Sequence, residues 1–140
     1  MTSTDTYFLD TSFLVVHRNL KDENHVQAVA CFDTLKQSSP HLKLMLTDYI
    51  FDELATLLVV RLNKSKAIEI CRAVYDDPII RLFSIGRSLF DEAWELFQKA
   101  TDKDWSFTDC TSFVTMQYLG IKRGLSFDHH FKQFGFIVLP

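Results

Sequence analysis

Acidic side chains follow two short runs of strand-forming residues, at the point where each run ends. Asp10 comes directly after the run at 7–9, and Asp128 comes directly after the run at 125–127. Aspartate is common in helix caps and turns, and for either residue alone that role would be the simpler explanation. If both runs are parallel strands, however, the two carboxylates lie at the same edge of the sheet, where such folds place their functional groups.

A third acidic residue lies on the apolar face of a predicted helix. The helical repeat places Glu53 in one stripe with Ile50, Leu57 and Val60, whereas the adjacent Asp52 falls on a polar face. A carboxylate among apolar side chains is costly unless a metal ion or a basic group pairs with it. Of the two neighbouring acids, Glu53 is therefore the predicted site residue.

Asp109 begins another predicted helix and has two compatible roles. The segment 106–109 has the form of a capping box, in which the Asp109 side chain bonds back to the start of the helix. The first turn of such a helix also projects toward the edge that carries the other acids, so Asp109 is a predicted site residue as well. Asp104 precedes this helix in a polar stretch, where most acids are simply solvated, and it is a second-tier candidate.

Four carboxylates from four separate segments would suit a hard divalent cation, because Mg²⁺ and Mn²⁺ prefer oxygen ligands. A cluster that holds one or two such ions can activate a water molecule and stabilise the charge that develops on a phosphodiester during hydrolysis. Since like charges repel one another, the cluster also predicts that the site depends on metal.

The elements that must position these acids alternate along the chain. Strands are predicted at 7–9, 42–46, 79–83, 125–127 and 136–139, and helices at about 25–36, 48–62, 65–75, 89–100 and 106–119. Strands separated by helices of this length predict a parallel sheet with helices on both faces. The sequence contains no linker, repeat or biased segment, so residues 1–140 are predicted to form a single three-layer α/β domain.

The composition is compatible with an enzyme that acts on nucleic acid, although the net charge at first argues against one. The 140 residues, 47% of them hydrophobic, are enough for one domain with its own core. The net charge of −3 is opposite in sign to that of proteins that bind nucleic acid through overall charge. Setting aside the four proposed ligands leaves 14 of the 18 acidic residues against 15 basic ones, so the acid surplus is no larger than the predicted metal site.

Cysteine usage and the apolar runs predict a cytoplasmic protein with no membrane contact. Cys31, Cys71 and Cys110 are odd in number and form no CxxC pair, so reduced thiols in apolar positions are expected. Residues 1–6 carry no positively charged side chain, unlike the start of a signal peptide. No apolar run approaches the ~20 residues that a membrane helix needs.

The acidic motifs occur in a distinctive order: FLDTS at 8–12, FDEL at 51–54, FTDC at 107–110 and SFDHHF at 126–131. In combination they resemble the PIN-domain family, and the stretch 128–136 is especially similar to small stand-alone proteins of the prokaryotic VapC toxin type. The resemblance covers essentially the whole chain. It implies a metal-dependent endoribonuclease, built on a parallel sheet of strand order 3-2-1-4-5.

The resemblance also implies which residues form the site. The acidic ligands of the family, with one variable extra acid, correspond to Asp10, Glu53, Asp109 and Asp128, with Asp104 as the extra acid. The small hydroxyl beside the last acid corresponds to Ser126, and the one beside the first acid to Thr11 or Ser12. Mg²⁺ or Mn²⁺ is the implied cofactor. A toxin role, a cognate antitoxin that inserts a segment across the site, and a homodimer are the implied biological context.

Other families and classes fit the residues less well. A haloacid-dehalogenase-type phosphatase needs a second aspartate two residues after the first, where this chain has Ser12, and neither a glycine-rich phosphate loop nor a GxSxG elbow occurs. The remaining alternative is a PIN-like module that binds RNA or a partner without nuclease activity, although retention of a repulsive acid cluster counts against it. His129 and His130 are predicted to be surface residues of a turn, and Arg61 is one of several basic residues that could line an RNA path.

Overall fold

The computed structural model describes residues 5–140, and its centre is a five-stranded sheet of order β3-β2-β1-β4-β5. The strands are β1 (Thr6–Leu9), β2 (Lys43–Thr47), β3 (Ile80–Phe83), β4 (Arg123–Leu125) and β5 (Ile137–Leu139). Every neighbouring pair is parallel. All four residues of β1 are buried, so this central strand is covered on both faces. The predicted α/β architecture and strand order are confirmed.

Seven helices connect the strands within the described residues. They are α1 (Thr11–Arg18), α2 (His25–Ser38), α3 (Asp48–Arg61), α4 (Lys64–Asp76), α5 (Arg87–Lys99), α6 (Phe107–Leu119) and α7 (His130–Phe134). Helix α1 packs against both α2 and α3, α3 packs against α4, and α6 packs against both α5 and α7. All five predicted helices are present, and no end differs from its predicted position by more than two residues.

Local signals explain where helix α3 begins and where helix α6 ends. The Thr47 hydroxyl accepts a hydrogen bond of 3.1 Å from the Ile50 N–H and so caps α3. Helix α6 ends at Gly120, which adopts a left-handed backbone conformation with φ of 71°. Both boundaries follow from residue types that are visible in the sequence.

Three features differ from the predictions. Helices α1 and α7 were not predicted. Helix α1 contains a run of bulky apolar residues at 13–16, a pattern that is also typical of a strand. Helix α7 spans only five residues, which are too few to show a helical period. Strand β4 ends at Leu125, so the prediction that Asp128 follows it directly is wrong. The chain leaves the sheet at Ser126 because the next N–H, that of Phe127, donates to the Ser12 side chain instead of to a strand.

The core beneath the carboxyl edge of the sheet is aromatic. Phe8 of β1, Phe113 of α6 and Phe131 of α7 are fully buried. The Phe131 ring lies 6.1 Å from that of Phe8 and 5.0 Å from that of Phe113. These contacts fix the end of β1, the helix α6 and the segment after β4 relative to one another.

Two further predictions concern the cysteines and the membrane. Cys71 and Cys110 are buried, Cys31 is half-buried, and all three thiols are free, as predicted. Burial raises the pKa of the Cys110 thiol to about 11, with a smaller contribution from the neighbouring Asp109. Across residues 5–140, no helix has both the length and the apolar character needed to span a bilayer.

Candidate active site

A cavity of about 350 Å³ lies where the carboxyl ends of the strands meet the surrounding helices. Its carboxylates come from five separate segments: Asp10, Glu53, Asp104, Asp109 and Asp128. Thr11, Ser12, Ser106, Arg61 and His130 supply its other polar side chains, and Val15, Val16 and Leu57 its apolar wall. The structure therefore brings all four predicted ligands and the second-tier Asp104 to one cavity.

Asp10 follows β1 directly and is the most buried of these carboxylates, with 5% of its surface exposed. Although it is the residue preceding α1, its side chain makes no capping bond to that helix. The hydroxyls of Ser12 and Ser126 instead donate to its Oδ2 over 2.6 and 2.8 Å. Burial raises the pKa of Asp10 to about 6, although both hydroxyls act in the opposite direction. The alternative role of the Asp10 side chain, as a cap of the following helix, is therefore wrong.

The same two serines tie the segment after β4 to the end of β1. Ser12 Oγ accepts from the Phe127 N–H over 2.9 Å, and Ser126 Oγ accepts from the Asp128 N–H over 2.9 Å. This pairing brings Asp128 into the cavity although it lies three residues beyond the end of β4. Ser12, rather than Thr11, is the hydroxyl that contacts the first acid, whereas Thr11 Oγ1 is buried and has no partner among the described residues.

Asp109 has both roles that the sequence indicated. Ser106 Oγ accepts from the Asp109 N–H over 3.0 Å, and Asp109 Oδ2 accepts from the Ser106 N–H over 3.1 Å, which completes the capping box. The same carboxylate lines the cavity. Burial raises the pKa of Asp109, and the hydrogen bonds from Ser106 and His130 oppose that shift.

Glu53 enters the cavity from the second turn of α3, on the same face as Leu57. Its predicted surroundings are correct in part, since Ile50 is fully buried and Leu57 is half-buried, but Val60 is 77% exposed and does not belong to the stripe. Glu53 therefore lies at the margin of the buried face. Asp52 is exposed and absent from the cavity lining, as the helical repeat predicted.

Two residues with ionisable side chains in the cavity, His130 and Arg61, were not predicted as part of the site. His130 was interpreted as a surface residue of a turn, yet its side chain is only 16% exposed, and its Nδ1 lies 2.8 Å from Asp109 Oδ2. Arg61 lies two turns beyond Glu53 on the same face of α3, which is the sequence signal that could have identified it. The prediction of an exposed position is correct for His129, which is 75% exposed.

The hydrogen bonding of three carboxylates suits a cation in the cavity. The donors reach a single oxygen of each group: Oδ2 of Asp10, Oδ2 of Asp109 and Oδ1 of Asp128. Among residues 5–140, no hydrogen bond reaches the second oxygen of any of the three. Carboxylate oxygens are the ligands that Mg²⁺ prefers, so the donor set fits this ion.

A second grouping of possible ligand atoms overlaps this one. Atoms of Asp128, His129 and His130 lie within 4.8 Å of one another. Two imidazoles suit softer metals better than Mg²⁺, and the exposed His129 lies away from the cavity lining. The carboxylates of the cavity are therefore the better donor set for a hard cation.

Comparison with known proteins shows which family the chain belongs to. The profile of the PIN domain matches residues 7–137, nearly the whole chain. The chain belongs to the PIN-domain family. This PIN domain is 30% identical over 130 residues to the 23S rRNA-specific endonuclease VapC20 of Mycobacterium tuberculosis, and the alignment covers 93% of this chain and 95% of that protein.

Two solved structures share the fold. The crystal structure of Mycobacterium tuberculosis VapC20, a Sarcin-Ricin loop cleaving toxin, has a TM-score of 0.86 at 28% identity and covers 96% of this chain and 99% of its own. VapBC2 from Rickettsia felis, bound to a DNA fragment from the promoter, has a TM-score of 0.71 at 11% identity, with coverage of 95% and 96%. The second likeness concerns the fold alone.

Proposed function

We propose that this PIN-domain protein is a divalent-cation-dependent endoribonuclease and the toxin of a toxin–antitoxin pair. The observation that carries the proposal is the convergence of Asp10, Glu53, Asp109 and Asp128 on one cavity. The similarity to VapC20 along nearly the full length of both chains supports the same activity. Mg²⁺ or Mn²⁺ is the proposed cofactor, and the four acids are its proposed ligands.

The residues of the chain would prepare the site for phosphodiester hydrolysis. Mg²⁺ or Mn²⁺, when bound, would supply an activated water and stabilise the charge on the reacting phosphate. Ser12 and Ser126 hold the Asp10 carboxylate through one oxygen and leave the other for the cation. The capping box fixes Asp109 in the same manner. Asp104, at the exposed margin of the cavity, would add negative charge without such constraint.

RNA is the proposed substrate, and a structured loop of ribosomal RNA is the first form to test, because VapC20 is named for 23S rRNA cleavage. An antitoxin is the proposed protein partner, since a chain of the VapBC2 structure has the same fold as this protein. We also propose a homodimer, which the family resemblance implies, and a cytoplasmic location, which the cysteine usage and the apolar runs predict.

Cleavage of RNA by the purified full chain tests the activity directly. A sarcin–ricin loop oligonucleotide should be cut in Mg²⁺ or Mn²⁺ and remain intact in EDTA. Asp10→Asn and Glu53→Gln should each lower the rate by at least about 100-fold. Asp52→Asn is the matched control, because this neighbouring acid is exposed and lies outside the cavity.

The opposite outcomes identify the binding-module alternative. Failure of the wild-type protein to cut either the loop oligonucleotide or total RNA, at any metal concentration, would overturn the nuclease assignment. Retained RNA binding would then favour a non-catalytic module. Expression in a bacterial host tests the toxin role separately: growth should stop with the wild type and continue with Asp10→Asn, at equal levels of soluble protein.

A further inference from the structure

His130 contacts two of the proposed metal ligands at once. Its Nδ1 lies 2.8 Å from Asp109 Oδ2 and 3.2 Å from Asp128 Oδ1. Its backbone N–H also donates to Asp128 Oδ1 over 2.9 Å. One residue therefore joins carboxylates from two elements, helix α6 and the segment that follows β4.

These contacts determine which nitrogen of the His130 imidazole carries a proton. An ionised carboxylate only accepts hydrogen bonds, so the Nδ1 atom between the two acids must carry a proton and act as the donor. Nδ1 is then not available as a metal ligand. In many metal sites a group in this position orients the ligating side chains without binding the ion itself.

The burial of the next residue in the chain holds the His130 backbone in place. The next residue, Phe131, is fully buried against Phe8 of β1 and Phe113 of α6. A short helix that begins at His130 is thereby anchored on the same two elements that carry Asp10 and Asp109. His129, on the other side, is exposed, and its Nδ1 lies 3.8 Å from Asp128 Oδ1.

We infer that His130 is a positioning residue, which holds Asp109 and Asp128 at the separation needed to bind one divalent cation. Without the imidazole between them, the two carboxylates would repel each other and rotate apart. The inference rests on the proposed function for the identity of the metal ligands. It assigns His130 no contact with RNA and none with the metal.

Binding of Mn²⁺ alone to the full-length protein, followed by calorimetry or by the EPR signal of the free ion, tests the inference. His130→Ala should weaken Mn²⁺ affinity by about 10-fold to 100-fold. His130→Asn, whose side-chain amide offers a donor near the position of Nδ1, should recover part of that loss. His129→Ala is the matched control and should bind Mn²⁺ like the wild type.

Kinetics provide a second measurement that a purely structural role would not reproduce. For His130→Ala at saturating Mn²⁺, kcat should fall while the KM for RNA stays the same. Equal Mn²⁺ affinity of His130→Ala and the wild type would overturn the inference, and so would pulsed EPR that shows direct coordination of the His130 nitrogen to Mn²⁺. If His130→Ala does not fold, the comparison of His130→Asn with His129→Ala decides the matter.

The two proposals fail in different ways. A wild-type protein that binds Mn²⁺ but cuts no RNA would contradict the nuclease proposal and leave the role of His130 standing. A wild-type protein that cuts RNA while its His130→Ala variant binds Mn²⁺ normally would contradict only the role of His130.

Discussion

Ser126 donates its hydroxyl to Asp10 Oδ2 over 2.8 Å, although the two residues are 116 positions apart in the chain. The same oxygen of Ser126 accepts from the Asp128 N–H. One serine therefore orients the first acid of the site directly and the last acid through its backbone. The four-carboxylate arrangement depends on this contact between β1 and the segment after β4.

Replacement of Ser126 by alanine is predicted to disturb both acids. Ser126→Ala removes a donor to Asp10 and an acceptor for the Asp128 N–H, so the free energy of unfolding should fall by about 1–3 kcal/mol and cleavage should slow. Urea denaturation and RNA cleavage measure the two effects. Ser112→Ala is the control, because the buried Ser112 hydroxyl has no partner among the described residues and lies outside the cavity lining. Equal cleavage rates for Ser126→Ala and Ser112→Ala would contradict the prediction.

Asp10→Asn is predicted to stabilise the metal-free protein while abolishing its activity. The pKa of Asp10 is raised from 3.8 to about 6 in the folded state, so the ionised side chain opposes folding. This cost is absent below about pH 4, grows between pH 4 and 6, and is complete above pH 6, where it reaches up to about 3 kcal/mol. Urea denaturation in EDTA at pH 4 and pH 7.5 measures it. A variant less stable than the wild type at pH 7.5 would refute this account.

Protons and metal are predicted to compete for the cavity. The pKa of Asp10 is about 6 and that of Asp109 is also raised, mainly through burial. A cation needs both groups ionised, so cleavage at limiting Mn²⁺ should fall as the pH drops below about 6. Because bound metal favours the ionised forms, a higher Mn²⁺ concentration should move the midpoint of the pH–rate profile to lower pH. A midpoint that does not move with Mn²⁺ concentration would show that these carboxylates do not titrate against metal.

Arg61 is predicted to contact an RNA phosphate. It is the only lysine or arginine that lines the cavity of the described chain, and no carboxylate of residues 5–140 lies within ion-pair distance of it. It lies about 12 Å along α3 from Glu53, far enough to reach a phosphate beside the one that reacts. Arg61→Ala should weaken RNA binding. The salt dependence of the RNA affinity should also fall, by an amount that corresponds to the release of about one counterion fewer.

The control for Arg61 is Arg72→Ala, which removes an exposed arginine of α4 outside the cavity. RNA affinity is measured by fluorescence anisotropy at several salt concentrations, in Ca²⁺ to limit cleavage. A loss of affinity that is the same for both variants would indicate a general effect of surface charge. A loss confined to Arg61→Ala supports the contact.

Much of the site was readable from the sequence because its signals are local. Three of these signals depend on residues within a few positions of one another. They are the end of β1 just before Asp10, the helical repeat that favours Glu53 over Asp52, and the capping box around Asp109. Strand–helix alternation is likewise set by short-range periodicity, and it predicts which chain segments end at the same edge. The four acids could therefore be proposed as ligands without the tertiary structure, although Asp128 was proposed from a strand end that the structure places earlier, at Leu125.

The contacts between distant segments were decided only by the tertiary structure. The sequence left Thr11 and Ser12 equivalent, and the structure shows that Ser12 bonds to Asp10 and also lies 3.2 Å from the distant Ser126. His130 was interpreted as a surface residue, because its neighbours in the chain give no sign of a contact with Asp109. In the structure, Phe131 is buried and the imidazole of His130 lies against Asp109. The sequence by itself thus determined which residue types reach the carboxyl edge. Packing across more than a hundred residues decided which side chains bond to one another, because hydrogen-bond partners depend on distances that no local periodicity encodes.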